Sequence, residues 1–316
     1  MDAGRSRPGE MNSAAMKSLL RNLSDCGVTT VGWSGGEPLM RRDLEELTRA
    51  GAACGMNFTL ATNGYLATRE RLSRLAAAGL KVIQISLDGP TASRSSRLRR
   101  GPSGAFERAV RAAVDSVSLG LTVHLCTLLT PETAEELEEM AAFARSLGVH
   151  GLRYTMWMPV GRAAGACYEE HAWARPEVGC FFDIFPSFRK QDFEVIIDCP
   201  TGPCPGREMF SCKVGMGTSY ITSDGDVYPC TALMNPGYRL GNVNRISVRE
   251  LLSGGRMLAI QREIRAHVPS GLCAPCPLRE SCRGGCPGRT IAVFGKWTGG
   301  GQEGALPACL YRLHRA

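Results

Sequence analysis

Apolar positions recur with two alternating periods through the first half of the chain. Met16, Leu19, Leu20 and Leu23 share one face of a helix from Ser13 to about Cys26, with Gly27 as its cap. TTVGW (29–33) reads as a buried strand, and Asp43 stands at the N-cap of a helix over 44–55 whose apolar side carries Leu44 and Leu47. FTLAT (58–62) is the next strand. A helix from about Thr68 to Ala78 ends at Gly79, and KVIQISL (81–87) is a third strand. A helix over 104–119 ending at Gly120, the strand LTVHLCTLL (121–129), a helix opened by Pro131 and closed at Gly148, and the strand GLRYTMW (151–157) complete the series. Five strands, each preceded by a helix, predict an α/β fold with a parallel sheet and right-handed crossovers.

After about Ala166 this rhythm stops, and glycine, proline and cysteine become frequent. The alternating segment SYITSDGDVYPC (219–230) reads as a hairpin around Asp224-Gly225, and a short helix follows over about 247–264. The expected division is a barrel-like domain over 1–166, a linker over 167–198 and a cysteine-rich domain over 199–316.

The chain has 316 residues and a formal net charge of +7. Its arginines gather only in the run Arg94, Arg97, Arg99, Arg100, without interleaved aromatics, which argues against a nucleic-acid partner. No apolar run reaches the roughly 18 residues of a membrane span, so no membrane partner is expected. The polar start MDAGRSRPGEMN lacks an apolar signal core, and the expected location is the cytoplasm.

Cysteine changes the picture. Of 14 cysteines, 9 lie between Cys199 and Cys309. In a reducing compartment such crowding means metal or redox chemistry, not a disulfide frame. Residues 273–286 read Cys-Ala-Pro-Cys-Pro-Leu-Arg-Glu-Ser-Cys-Arg-Gly-Gly-Cys, spaced C-x2-C-x5-C-x3-C. Short C-x2-C turns deliver two thiolates to one centre, and distant cysteines complete the shell. On this run alone, zinc and iron–sulfur both fit.

Upstream, Cys212 is followed after twelve residues by Gly225 and after four more by Cys230; downstream lies Cys309. The whole resembles the SPASM domain of radical SAM enzymes, whose pattern is C-x(9–15)-G-x4-C, a gap, C-x2-C-x5-C-x3-C, a gap, and C. The resemblance implies two auxiliary iron–sulfur clusters, of the 4Fe-4S type. One would be held by Cys273, Cys276, Cys282 and Cys309. The other would be held by Cys212, Cys230, Cys286 and a fourth cysteine, Cys204, with Cys199 as runner-up.

The first half agrees with this. Ser34-Gly35-Gly36-Glu37-Pro38 follows the first strand, Thr62-Asn63-Gly64 the second, Ser86-Leu87-Asp88-Gly89 the third, and Pro159-Val160-Gly161-Arg162-Ala163 the fifth. Glycines there let backbone approach a ligand. This order is similar to the S-adenosylmethionine-binding barrel of the same family, a partial (β/α)6 TIM-like barrel. The resemblance assigns cofactor contacts to Gly35, Gly36, Glu37, Pro38, Asn63, Ser86, Asp88 and Arg100. It also implies a peptide or protein substrate and an electron donor such as ferredoxin or flavodoxin.

One part of the family pattern is absent from the 316 residues. No three cysteines stand at C-x3-C-x2-C, the motif that holds the radical-generating cluster. The expected form is therefore a barrel of five strands lacking its first, without radical initiation, read as a fragment of a complete enzyme in preference to a truncated paralogue. The rival from another class is a non-catalytic iron–sulfur scaffold that presents peptide to a complete enzyme.

Overall fold

A computed structural model describes residues 9–99, 101–156, 193–198, 212, 214–215, 217–268 and 273–294. They fall into two compact units. The first is an α/β sheet unit with strands β1 (Thr30–Trp33), β2 (Asn57–Thr62), β3 (Leu80–Ser86), β4 (Thr122–Leu129), β5 (Gly151–Met156) and β6 (Glu194–Asp198). The strands are hydrogen-bonded in chain order, and every pair is parallel. The five anticipated strands all form. β6 is a correction, because EVIID lies in the segment read as linker and instead pairs with β5 over Gly151 to Thr155. A five-residue apolar run beside a cysteine- and proline-rich stretch gives no periodic signal of its own.

Helices α1 (Ser13–Asp25), α2 (Leu44–Ala52), α3 (Arg69–Ala78), α4 (Ala92–Leu98), α5 (Ala105–Ser118), α6 (Pro131–Glu135) and α7 (Leu137–Ser146) accompany the sheet. Side-chain oxygens of Asn12, Thr68 and Thr91 cap α1, α3 and α4. Asp43 precedes α2 but makes no cap bond. Its carboxylate is held instead by the Arg41 guanidinium at 2.7 Å and by the Ser13 hydroxyl, which ties α1 to the start of α2. The helix expected from Pro131 breaks in two at Glu136, and α4 arises where no helix was anticipated.

The two sheet faces differ. Phe58, Leu60, Ile83, Ile85, Val123, Leu125, Leu152 and Tyr154 point to the helices and are buried, with Leu47, Leu72, Leu75, Ala112, Leu137 and Ala144 among the helix residues in the same core. The opposite face presents half-buried Thr59, Gln84, Ser86, Cys126, Arg153 and Thr155. Parallel strands buried on both faces are apolar throughout, so a polar, partly open face is what a ligand site requires.

The second unit is built on an antiparallel sheet of β7 (Tyr220–Ile221), β8 (Asp226–Tyr228) and β9 (Gly241–Asn242). The Asp224-Gly225 turn forms as expected, with Gly225 at φ 92°. Helices α8 (Val248–Ser253), α9 (Gly255–Ala266), α10 (Arg279–Cys282) and α11 (Pro287–Phe294) follow. The single helix expected over 247–264 is interrupted where Gly254 turns to an extended conformation. The core is small: Val214, Val227, Leu233, Leu240, Leu251, Met257, Ile260 and Ile264, with Cys212 and Cys230 packed against it. Among the described residues no helix is long and apolar enough to cross a membrane.

Gly151 tests the seating of β6. A Cβ there would overlap the Glu194 carbonyl, whose carbon lies at 2.9 Å, because β6 backbone sits directly against it. Gly151→Val is expected to lower stability by about 1–3 kcal/mol in denaturant unfolding. Glu194→Ala, which trims a side chain that is 60% exposed, should cost far less. An unchanged midpoint in the valine variant would show that β6 does not seat on β5.

Candidate functional site

Parallel strands bring the loops that follow β1, β2 and β3 to one edge of the sheet. After β1, Gly35 adopts φ 118°, a conformation that side chains rarely tolerate. Glu37 then closes the loop. Its carboxylate accepts from the amide N–H of Leu39 at 3.0 Å, from the Thr62 hydroxyl at 2.7 Å and from the Asn63 amide N–H at 2.9 Å. The acidic side chain of the GGEP segment thus clasps the end of β2. Pro38 opens a short 3-10 turn, Pro38–Met40. Arg71 of α3 donates to the carbonyls of Leu39 and, at 2.8 Å, Arg41, and fixes that turn from outside. Among the described residues, Gly35 and Gly36 make no backbone–backbone hydrogen bond outside the strand ladder.

The remaining barrel candidates divide. Asn63 is exposed, and its side-chain oxygen accepts from the Tyr65 amide at 2.8 Å, a local turn bond. Gly64 at φ 77° lets the same loop approach α5, where a Cβ would stand 2.8 Å from the Ala109 Cα. Ser86 ends β3 on the polar face, opposite Cys126. Asp88 is 2% exposed. One of its oxygens accepts from the Leu128 amide at 2.8 Å, bridging β3 to β4, and the other from the Arg99 guanidinium at 2.8 Å. Its carboxylate braces the loop against β4. Arg100 lies outside the described residues; its neighbour Arg99 is the arginine that meets the site loop. The pairings of Thr62, Arg71 and Arg99 were not anticipated, because each partner is distant in sequence and no spacing announces it.

In the second unit the cysteines come together by a different route. Cys276 donates its amide to the Cys273 carbonyl at 3.0 Å, closing the C-x2-C turn. α10 ends at Cys282, and Arg283, Gly284 and Gly285 follow with φ of 53°, 81° and 79°. This left-handed run reverses the chain between Cys282 and Cys286, so the two need not face the same centre. Cys286 opens α11, and its carbonyl accepts from the Thr290 amide. Gly288 on that helix sits directly on Ala232, whose carbonyl oxygen would lie 2.5 Å from an added Cβ. Only glycine allows α11 to close on the turn Thr231–Leu233 that follows Cys230.

That closure packs the helix that begins after Cys286 against the turn that follows Cys230. Burial, and then the neighbouring thiols Cys286 and Cys212, push the Cys230 thiol up to about 11. Burial and Cys286 also raise Cys212. Among the described residues no closed group of three or more His, Cys, Asp or Glu metal donors is present. Cys212 and Cys230 both pack against the core of this unit, and an all-sulfur donor set suits iron–sulfur ligation, which draws thiols into the thiolate form. Cys273 and Cys286 are buried, and Cys276 and Cys282 half-buried. Cys204, Cys199 and Cys309 lie outside the described residues.

Comparison with known proteins places this geometry. The Radical SAM superfamily model matches residues 2–144, and the SPASM iron–sulfur cluster-binding domain model matches residues 212–277. Mycofactocin maturase MftC of Mycobacterium tuberculosis is 30% identical over 319 residues, covering 98% of this chain and 77% of the relative. PqqA peptide cyclase of Xanthomonas axonopodis pv. citri is 31% identical over 298 residues, covering 90% and 77%. Among solved structures, anSMEcpe with bound AdoMet superposes with a TM-score of 0.72 at 19% identity, covering 96% of this chain and 87% of the other, which shows a shared fold. The chain therefore belongs to the radical SAM superfamily, in the branch that carries a C-terminal SPASM iron–sulfur cluster-binding domain.

Proposed function

We propose that this chain serves the modification of a peptide or protein, with S-adenosylmethionine bound at the sheet edge and two auxiliary iron–sulfur clusters bound by the cysteine module. The observation that carries the reading is a cysteine-rich unit, following a GGEP-bearing parallel sheet, in which Cys212 and Cys230 pack against one small core and the helix that begins after Cys286 closes on the turn after Cys230. The relatives named above, a mycofactocin maturase and a PqqA peptide cyclase, support a peptide substrate. The chemistry that S-adenosylmethionine supplies in such a site is hydrogen abstraction by a radical derived from its adenosyl group.

The chain's own residues do the rest. Gly35 and Gly36 offer backbone groups to the cofactor's amino end, and Glu37 holds them in place through Thr62 and Asn63. Ser86 stands where a hydroxyl meets the cofactor's carboxylate or ribose, and Asp88 keeps that loop against β4. Cys212, Cys230, Cys286 and Cys204 hold one auxiliary cluster; Cys273, Cys276, Cys282 and Cys309 hold the other. The clusters accept or relay an electron or help to position substrate.

Three measurements test this. Reconstituted with iron and sulfide, the 316-residue chain should hold about eight irons, two clusters of four, with visible charge-transfer absorption. Bound zinc without that absorption would end the cluster reading, and twelve irons would show a third cluster that the cysteine spacing does not provide for. Cleavage of S-adenosylmethionine by the reduced chain separates an initiating enzyme from a scaffold. Glu37→Gln replaces one acceptor oxygen by a donor facing the Asn63 and Thr62 groups. It should weaken S-adenosylmethionine binding about tenfold by calorimetry, in line with charged hydrogen bonds of roughly 1.5–3 kcal/mol. Equal affinity in the two proteins would remove the clasp from the account. Gly288→Val should push α11 off Ala232, part Cys286 from Cys230 and cut the iron content by about four, with the other cluster retained. Full loading in that variant would contradict the closure argument.

A further inference from the structure

We infer that Arg283 is a positioning residue: its side chain straps the loop between Cys282 and Cys286 to the end of α9, and so holds two cluster ligands in place. The inference rests on the iron–sulfur reading above, which gives Cys282 to one cluster and Cys286 to the other. Arg283 has φ 53°, and every other described residue with positive φ is glycine. A residue with a side chain is disfavoured in this left-handed region by roughly tenfold in population. The next two residues, Gly284 and Gly285, lie in the same region and are glycines. The backbone at position 283 therefore favours glycine, and an arginine held there is compensated through its side chain.

That side chain reaches two main-chain carbonyls. Its Nη1 donates to the Arg265 carbonyl at 2.9 Å and its Nε to the Glu280 carbonyl at 3.2 Å. Arg265 lies in the last turn of α9. The last carbonyls of a helix need donors from outside it, and a cation there also meets the negative end of the helix dipole. α9 is seated in the small core of the unit by Met257, Ile260 and Ile264. The backbone bonds of the loop itself are local: Arg283 N–H to the Arg279 carbonyl at 3.0 Å, and Gly285 N–H to the Cys282 carbonyl at 3.1 Å. They set the shape of the turn, whereas the bond to Arg265 spans 18 residues and sets its place. The far side of the loop is held where Gly288 meets Ala232. Ligands already in place lose less chain entropy when metal binds, and so retain it better. Freeing this loop loosens both clusters, because each takes one cysteine from it.

The test uses the full chain reconstituted with iron and sulfide. It follows iron release to an excess of chelator, beside thermal unfolding of the metal-free chain. Arg283→Gly relieves the backbone and removes the strap, so a positioning role and a merely tolerated arginine predict opposite results. With a positioning role, the variant should release iron from both clusters about tenfold faster than the parent, the scale of one lost hydrogen-bonded anchor. Its metal-free chain should unfold close to the parent temperature, since the relieved backbone offsets the lost bonds. Arg283→Lys keeps the charge at the helix end without the guanidinium fork, and should restore part of the retention. Release from Arg283→Gly at the parent rate or slower overturns the inference, as does faster release from one cluster alone. A metal-free Arg283→Gly chain that unfolds far below the parent also overturns it, making Arg283 a general stabiliser. If Arg283→Gly takes up no iron, Arg283→Lys decides: release faster than the parent supports the inference, and release at the parent rate refutes it. A parent chain that takes up no iron fails the earlier cluster reading instead, so the two failures are distinguishable.

Discussion

A parallel sheet delivers the C-terminal ends of its strands to one edge, and the amides that leave the sheet there need acceptors. Two carboxylates meet this need. Glu37 takes the Leu39 and Asn63 N–H groups together with the Thr62 hydroxyl, joining the loop after β1 to the end of β2. Asp88 takes the Leu128 N–H and the Arg99 guanidinium, joining the loop after β3 to the end of β4. Because acidic side chains do this, the glycines beside them remain available as backbone. Under the proposed function these peptide groups form the recognition surface, and a residue with a side chain could not adopt the Gly35 conformation without strain.

The cysteine module faces the opposite problem. Among the described residues its apolar core consists of eight buried residues around a three-stranded sheet. Buried thiols resist ionisation, and burial pushes the Cys230 thiol up. Metal binding removes that resistance, because a cation makes thiolate the favoured form. The glycines here serve access and reversal: Gly288 admits α11 to Ala232, and Gly284 and Gly285 turn the chain between Cys282 and Cys286.

Periodicity made the alternating strands and helices legible, because a 3.6-residue and a 2-residue period are local properties of the chain. Spacing made the cysteine module legible for the same reason, and the SPASM model matches it. β6 was not legible: EVIID is short, and its assignment depends on pairing with Gly151 to Thr155, some forty residues earlier. The backbone partner of Asp88 was not legible either. An aspartate before glycine after a strand looks the same whether it meets a ligand or a backbone amide on the next strand. The cap at Asp43 failed in the same way, since Arg41 and Ser13 took its carboxylate before the helix amides did.

The two units treat buried charge in mirror fashion. In the barrel the anion, Asp88, is deeply buried and its partner Arg99 keeps contact with solvent. In the cysteine module the cation, Arg289, is the buried member. A buried carboxylate can be answered by backbone amides as well as by a guanidinium, so the barrel edge completes its own electrostatics from the polypeptide. The sheet edge is thus preorganised by its own side chains, whereas the thiols of the cysteine module are drawn into the thiolate form only when a metal binds.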